Sequence, residues 1–244
     1  MSADPQGLAF DTLAEDYDLG RPPWPAEMLD GIRGDAALDL AAGTGKLTRL
    51  LVQRFHDVTA VEPLAGMRAL LEHAAPEATV VAGSAERIPL DDCSVDAAFV
   101  GEAFHWFDSV IAVRELARVL RRRGTLLISF NDWLDVQPSV PDDVRATLRD
   151  VRADLPPPGG PKVESGEWRR GFADAPFSPL EEREYRHTWR ASGEALAAFY
   201  VSTSSMGSLD AESRSALRAQ LVELLGPGPY ELEIAARVFR TERT

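Results

Sequence analysis

The chain has 244 residues, 45% hydrophobic and 27% charged, a composition typical of a globular protein with a full core. Its formal net charge of -13 at pH 7 repels phosphate backbones, so we expect no nucleic-acid partner. The single cysteine, Cys93, excludes an intrachain disulfide, and no apolar run approaches the length of a membrane span.

The first ten residues carry neither the basic nor the apolar segment of a signal peptide. The four histidines are far apart and show no metal-ligand spacing. We therefore expect a cytoplasmic protein without metal or membrane association, folded as one large domain and present as a monomer or homodimer.

Strand-like and helix-like segments alternate through the first half of the chain, which predicts a mostly parallel sheet with helices on both faces. Gly43 and Gly45 form a tight turn after the first strand. The basic run 121–123 reads as the end of a helix, and Gly124 as its cap. In chain order the segments are a strand at 36–40, a helix at 47–55, a strand at 57–61, a helix at 65–75, strands at 79–82 and 95–101, a helix at 109–120 and a strand at 125–130.

The regular alternation stops after residue 130. Residues 131–179 hold many prolines, including the stretch LPPPGGP at 155–161, which predicts a loop or hinge. We interpret 131–179 as an insertion that covers the open end of the sheet. Beyond it, the patterns predict a strand at 182–189, helices at 192–200 and 211–225, and a last, antiparallel strand at 231–240 near the sheet edge.

The segment LDLAAGTG at 38–45 carries the most information about function. Glycines between a strand and a helix let a ligand approach the backbone closely. Glu62 ends the next strand, 23 residues after Asp39, and an acidic residue there can accept both ribose hydroxyl protons of a nucleoside. The spacing therefore indicates an adenosine-type cofactor.

The dinucleotide fingerprint G-x-G-x-x-G would need a third glycine at position 48, which is Thr48, and the P-loop pattern is absent. Asp39 lies ahead of the glycines, and a carboxylate beside a ligand suits an ammonium group better than a phosphate. S-adenosylmethionine has an ammonium group and no phosphate. We therefore predict this cofactor, with S-adenosylhomocysteine as the product.

Several runs of the sequence resemble those of a known protein family. The runs LDLAAGTGKLT, AVEPLAGM, GSAERIPLDDCSVDAAF and RELARVLRRRGTLLIS resemble the class I S-adenosylmethionine-dependent methyltransferases. The segments FDTLAEDYDLGRPPWP and AFHWFD resemble the subgroup that includes trans-aconitate methyltransferase-like enzymes. The resemblance implies a Rossmann-like fold with a seven-stranded sheet and a helical or loop cap. It divides the domain into a lid (1–35), a cofactor-binding core (36–130), a substrate cap with C-terminal helices (131–229) and the last strand (230–244).

The resemblance also implies roles for single residues. Glu62 would bind the ribose hydroxyls, and Arg21 would neutralise the cofactor carboxylate. Ala41 replaces the usual first glycine, and Ser84 replaces a common aspartate, so a hydrogen bond to the adenine amino group is lost or replaced. The methionine part would be lined by Asp39, Ala41, Gly43 and Gly45, and the adenine would be packed by Met67 and bordered by Ser84, Ala85 and Glu86.

Glu102 and His105 follow the fourth predicted strand, at the edge of the sheet where ligands bind, so we expect Glu102 among the cofactor contacts. His105, with an ordinary pKa, could accept a proton near neutral pH, or it could orient its loop. Tyr17, in the lid, either touches the sulfonium region or the acceptor, or holds the lid down.

The leading hypothesis is methyl transfer to an oxygen, nitrogen or carbon of a small molecule. An NAD(P)-dependent oxidoreductase would need the missing third glycine. An enzyme that binds S-adenosylmethionine but performs other chemistry, such as cyclisation of its side chain, would use the same motifs. A non-catalytic binding module would have lost the cofactor contacts, whereas Asp39, Gly43, Gly45 and Glu62 are all present.

Overall fold

The computed structural model describes residues 13–133, 139–156 and 162–244. Residues 1–12 of the predicted lid and 157–161 of the predicted proline-rich loop lie outside this part. The chain contacts divide it into two compact units. The sheet unit comprises residues 24–132, 162–185 and 235–244, and the helical unit comprises residues 13–23, 133, 139–156 and 186–234.

Strands of the described chain form a seven-stranded sheet. They are β1 (Ala36–Leu40), β2 (Asp57–Val61), β3 (Thr79–Val81), β4 (Val95–Gly101), β5 (Leu120–Trp133), β6 (Glu181–Ala191) and β7 (Tyr230–Glu242). Their order across the sheet is β3-β2-β1-β4-β5-β7-β6, and β1 to β5 pair with their neighbours in parallel.

The last strand runs antiparallel to β6. Arg237 pairs with Glu182, whereas Glu233 accepts a hydrogen bond from Thr188, so residue numbers fall along β7 as they rise along β6. The predicted mostly parallel, seven-stranded sheet with an antiparallel last strand is thus confirmed.

The central strands of the sheet are buried on both faces, as expected for a parallel sheet covered by helices. Along β4, Ala98 and Val100 pack into one apolar cluster, whereas Ala97 and Phe99 pack into another. Successive side chains of a strand point to opposite faces, so two separate clusters need an almost continuous apolar run. This need explains why the central strands of the sequence do not alternate with polar residues.

Three of the described α-helices begin at a cap where a short polar side chain accepts backbone N–H groups. The capping residues are Asp108, Ser192 and Asp210. The α-helices of the described residues are α1 (Ala14–Gly20), α2 (Thr48–Leu51), α3 (Ala65–Ala74), α4 (Ser109–Val119), α5 (Asp142–Ala153), α6 (Gly193–Val201) and α7 (Ala211–Leu225), and 3₁₀ turns occupy Ala26–Leu29, Phe104–Trp106, Val163–Ser165, Glu167–Phe172 and Ser204–Met206.

The basic run 121–123 lies in a strand, so the prediction that it ends a helix is wrong. The helix stops early because Leu120 takes an extended backbone and is fully buried in the core. Arg121 then forms an ion pair of 2.6 Å with Asp96. Gly124 is not a cap either: it lies within β5, where a Cβ atom would approach the Arg121 carbonyl oxygen to 2.8 Å.

The segment 131–179, predicted as an irregular insertion, contains a regular helix, α5. Its apolar residues Val144, Leu148 and Val151 have helical spacing and pack into the core of the helical unit. The apolar spacing itself favours a helix, whereas the prolines on both sides favour a loop.

The helical unit has its own core around α6. Gly20 lets α1 approach α6 closely, because a Cβ atom there would lie 2.3 Å from the backbone nitrogen of Phe199. Arg218 of α7 forms an ion pair of 2.7 Å with Asp16 of α1. These contacts tie α1 to the two long C-terminal helices of the unit.

No helix within residues 13–133, 139–156 and 162–244 is long and apolar enough to cross a membrane. Over the same residues, no group of three or more histidine, cysteine, aspartate or glutamate side chains is arranged to hold a metal ion.

Candidate functional site

The carboxyl ends of four neighbouring strands meet at one edge of the sheet unit. Leu40 of β1 pairs with Val61 of β2, which pairs with Val81 of β3, so the three strands end level with each other. β1 has β2 on one side and β4 on the other, which makes the space beyond β1 the point where the strand order reverses. In open α/β sheets, ligands bind in the crevice at such a point.

A turn with left-handed backbone follows β1. Ala41, Gly43 and Gly45 have φ angles of 56°, 58° and 86°. The Ala42 N–H donates to the Val61 carbonyl, and the Gly45 N–H to the Ala42 carbonyl, which holds the turn against the end of β2. A Cβ atom on Gly45 would lie 2.6 Å from a methyl carbon of Leu71, so this glycine makes room for α3.

Ala41 is the strained member of this turn, because a left-handed backbone costs an L-residue roughly 1–2 kcal/mol. We expect Ala41→Gly to leave the free energy of unfolding unchanged or to raise it by up to about 1 kcal/mol, since glycine also gains entropy in the unfolded chain. Ala37→Gly, in the ordinary backbone of buried β1, is the matched control and should be destabilising. Urea denaturation measures both, and equal losses in the two variants would contradict the expectation.

Glu62 joins the end of β2 to the glycine turn. Its side chain is buried, and its two carboxylate oxygens accept backbone hydrogen bonds of 2.9 Å from Gly43 and Leu64. A carboxylate oxygen has two lone pairs, so each can accept a further hydrogen bond. The fixed carboxylate is therefore suited to accept two neighbouring hydroxyl groups.

Asp39 is fully buried beside the same turn. Its carboxylate accepts a hydrogen bond of 2.6 Å from the Thr48 hydroxyl. Burial, with a further contribution from the negative charge of Glu62, raises the pKa of Asp39 to about 7, although the Thr48 hydrogen bond opposes this rise. A cation bound beside Asp39 would relieve both effects and restore the ionised form.

The residues expected around the adenine follow β2 and β3. Met67 lies in the first turn of α3 with its side chain buried, and Ala85 is buried as well. Ser84 is half-buried and accepts a backbone bond from Arg87, which closes a turn. The Glu86 carboxylate accepts the Asp108 N–H at 3.2 Å and so connects the segments that follow β3 and β4.

Glu102 follows β4 with a left-handed φ of 59°. Its N–H donates to the Ser129 carbonyl, and its carboxylate accepts the Asn131 N–H at 2.7 Å. These two bonds fix the carboxylate at the adjoining ends of β4 and β5.

His105 lies in the 3₁₀ turn after Glu102, with its ring against Trp106 and Phe130 at centroid distances of 5.1 and 5.7 Å. Burial lowers the pKa of His105 to about 4, although the charge of Glu164 partly opposes this. The imidazole is therefore neutral at pH 7 and a weak base, and the expectation of an ordinary pKa is wrong. The Nδ1 atom is buried and has no hydrogen-bond partner among the described residues.

Tyr17 and Arg21 belong to the helical unit. The Arg21 guanidinium lies over the Tyr17 ring at 4.6 Å and over the Phe199 ring at 5.2 Å, and it donates a hydrogen bond to the Ser202 carbonyl. The structure thus brings the two predicted residues together. Their roles toward a cofactor or acceptor stay predictions.

Two threonines of the turn region were missed in the sequence. Thr48, considered only as the position of an absent glycine, holds Asp39. The Thr44 hydroxyl is buried and has no hydrogen-bond partner among the described residues. Buried polar atoms are almost always satisfied, so an orphaned hydroxyl between Gly43 and Gly45 fits a position that faces a ligand. The only sequence signal was their place in the turn.

Comparison with known proteins agrees with this geometry. A family model described as a methyltransferase domain matches residues 38–128. Over 127 residues the chain is 47% identical to an uncharacterized methyltransferase of Mycobacterium tuberculosis, a match that covers 51% of this chain and 52% of that protein. The chain therefore aligns with about half the length of that relative.

Two longer matches extend the comparison. The chain is 35% identical over 193 residues to the malonyl-[acyl-carrier protein] O-methyltransferase of Methylococcus capsulatus, covering 68% of this chain and 70% of that protein. A solved structure of a candidate type II methyltransferase from Anaeromyxobacter dehalogenans has a TM-score of 0.64 and 25% identity, over 91% of this chain and 97% of that one. The narrower trans-aconitate resemblance is not tested by these matches. The chain belongs to the methyltransferase family and has its class I fold.

Proposed function

We propose that this protein transfers a methyl group from S-adenosylmethionine to a small-molecule acceptor. The observation that carries the proposal is the pair of buried carboxylates, Asp39 and Glu62, on either side of the glycine turn at the reversal point of the sheet. Burial raises the pKa of Asp39, so a bound cation would stabilise its ionised form. A ligand with an ammonium group supplies that cation, and its hydroxyl groups can donate to the Glu62 carboxylate.

Each carboxylate has its own part in binding. Glu62, fixed by the Gly43 and Leu64 N–H groups, would accept the two ribose hydroxyl protons. Asp39, held by Thr48, would bind the ammonium group of the methionine part. The orphaned Thr44 hydroxyl lies in the turn between them and fits a further polar contact to the ligand.

The same features disfavour a dinucleotide, the cofactor of the competing oxidoreductase hypothesis. A pyrophosphate needs free backbone N–H groups, but those of Gly43 and Gly45 are already bonded within the turn. Its charge would also meet Asp39 and Glu62. The repulsion is roughly 4 kcal/mol for each pair of unit charges 4 Å apart in a partly solvated site.

The remaining predicted residues keep the roles that the family resemblance implies. Within the helical unit, Arg21 would bind the cofactor carboxylate, and Tyr17 would contact the sulfonium region or the acceptor. His105, neutral at pH 7, would donate or accept a hydrogen bond rather than act as a strong base. Ala41, Gly43, Gly45 and Glu102 would line the methionine part, and Met67, Ser84, Ala85 and Glu86 the adenine.

When bound, S-adenosylmethionine supplies an activated methyl group: the acceptor's lone pair bonds to the methyl carbon while the carbon–sulfur electron pair stays on sulfur. The protein's own contribution is alignment, which can supply roughly 7–11 kcal/mol of the barrier in favourable cases. The weakly basic His105 favours an acceptor that needs little help in losing a proton.

Calorimetric titration with S-adenosylhomocysteine, and separately with NADH, tests the cofactor. We expect micromolar binding of S-adenosylhomocysteine by the wild type and no binding by Gly43→Val, because a branched side chain would crowd the turn. A dinucleotide signal without S-adenosylhomocysteine binding would overturn the proposal. Product analysis then distinguishes S-adenosylhomocysteine, expected from methyl transfer, from methylthioadenosine, expected from cyclisation.

A further inference from the structure

A cleft of about 400 Å³ opens beside the candidate site, wholly within the sheet unit. One side is the 3₁₀ turn with His105 and the first turn of α4, and the other is the segment 162–170. Gly171 lets the two sides pack directly, because a Cβ atom there would lie 2.1 Å from the Ser109 carbonyl oxygen. The volume is in the range of sites for small organic ligands.

Aromatic rings form much of the cleft wall. Trp106, Phe107 and Trp168 all line it. Trp168 is held in place by a hydrogen bond from its indole nitrogen to the Val163 carbonyl and by edge contact with the Phe104 ring at 5.7 Å. Rigid aromatic faces bind flat rings by stacking or edge contact with little loss of side-chain entropy.

Two cations, Lys162 and Arg170, and two anions, Asp108 and Glu167, line the cleft. Glu167 and Arg170 pair with each other at 2.9 Å, and Asp108 caps α4 by accepting two backbone N–H groups. Lys162 has no side-chain partner among the described residues. Because Arg170 pairs with Glu167 and Asp108 caps α4, Lys162 is the lining cation best placed to pair with an anionic group of a ligand.

We propose that this cleft binds a planar aromatic carboxylate, with its ring between the aromatic walls and its carboxylate on Lys162. A single charge fits better than a phosphate, since a dianion would also meet Asp108 and Glu167. Given the proposed function, on which this assignment rests, aromatic acids are the acceptor class.

The test measures binding of naphthalene-2-carboxylate and of its neutral analogue 2-naphthylmethanol to the full chain, by calorimetry and tryptophan fluorescence. The wild type should bind the carboxylate about tenfold more tightly than the alcohol. Lys162→Met should abolish that preference while still binding the alcohol, and Trp106→Ala should weaken both probes. Arg183→Met, which removes an exposed cation of the same unit, is the control and should change neither.

A carboxylate preference that survives Lys162→Met would overturn the proposal, as would failure of the wild type to bind either probe. S-adenosylhomocysteine binding on the same samples separates the two proposals. Loss of that signal with intact naphthoate binding would refute the cofactor assignment and leave the cleft assignment standing. Lys162 is exposed, so its substitution is not expected to affect folding.

Discussion

Glu62→Gln is expected to weaken S-adenosylhomocysteine binding at least about 100-fold, and Glu62→Ala to do the same. Hydrogen bonds to a charged acceptor contribute roughly 1.5–3 kcal/mol each, and two ribose hydroxyls would lose theirs. Tenfold in affinity corresponds to about 1.4 kcal/mol, so the combined loss reaches two decades or more.

Glutamine cannot make the hydrogen bonds of Glu62, although it has nearly the same shape. Both oxygens of Glu62 accept backbone N–H groups, one from Gly43 and one from Leu64. The amide nitrogen of glutamine is a donor, so one of the two positions would set donor against donor. The substitution therefore loses charge and also disturbs the glycine turn.

Calorimetry measures this loss, and circular dichroism confirms that each variant is folded. Glu72→Gln is the matched control, because Glu72 is an exposed glutamate on α3, the helix that follows Glu62, and its affinity should equal that of the wild type. Wild-type affinity in Glu62→Gln would remove Glu62 from the cofactor site.

The affinity for S-adenosylhomocysteine should rise with pH up to about pH 7 and then level off. The pKa of Asp39 is raised to about 7, so the carboxyl is mostly protonated below that pH, and the ligand's ammonium group binds the ionised form. Binding must release a proton. The affinity should therefore fall about tenfold for each pH unit below the midpoint.

Three variants separate this effect from the titration of other groups. Asp39→Asn should bind weakly with no pH dependence between pH 5.5 and 8. Thr48→Val should shift the midpoint above 7, because the Thr48 hydroxyl stabilises ionised Asp39, and Thr48→Ser should restore it. A pH dependence that Asp39→Asn retains would assign the proton to another group.

As the pH rises, the free energy of unfolding should fall while the affinity for S-adenosylhomocysteine rises. Because the folded pKa of Asp39 is raised above its unfolded value of 3.8, the stability present below pH 4 is lost as the pH rises to about 7. The cost at pH 8 is on the order of 4 kcal/mol. Asp39→Asn should therefore be more stable than the wild type at pH 8, with the difference vanishing toward pH 4 in urea denaturation.

The alternation of segments, the glycine turn and the positions of Asp39 and Glu62 could be predicted from the sequence, because each depends on local rules. Strand and helix periods identify the elements, and parallel strands place their carboxyl ends at one edge. Four of the family motifs lie within residues 38–129, close to the residues 38–128 that the methyltransferase-domain model matches.

Predictions from local sequence patterns were wrong where tertiary contacts favour a different secondary structure. The basic run 121–123 suits the end of a helix, but burial of Leu120 and the ion pair of Arg121 with Asp96 make it a strand. The prolines on either side of α5 favour a loop, but Val144, Leu148 and Val151 along the helix pack into a core that only the tertiary structure supplies.

The sequence by itself determined which residues the proposed cofactor site is built from: Asp39, Glu62 and the glycine turn between them. Only the tertiary structure decided their state. Three features depend on segments that meet only through folding. Thr48 donates a hydrogen bond to Asp39, and burial raises the pKa of Asp39 and lowers that of His105. The third feature is the cleft that lies between residues 105–110 and 162–170. Solvation and charge follow from three-dimensional neighbours, and no periodicity along a chain records them.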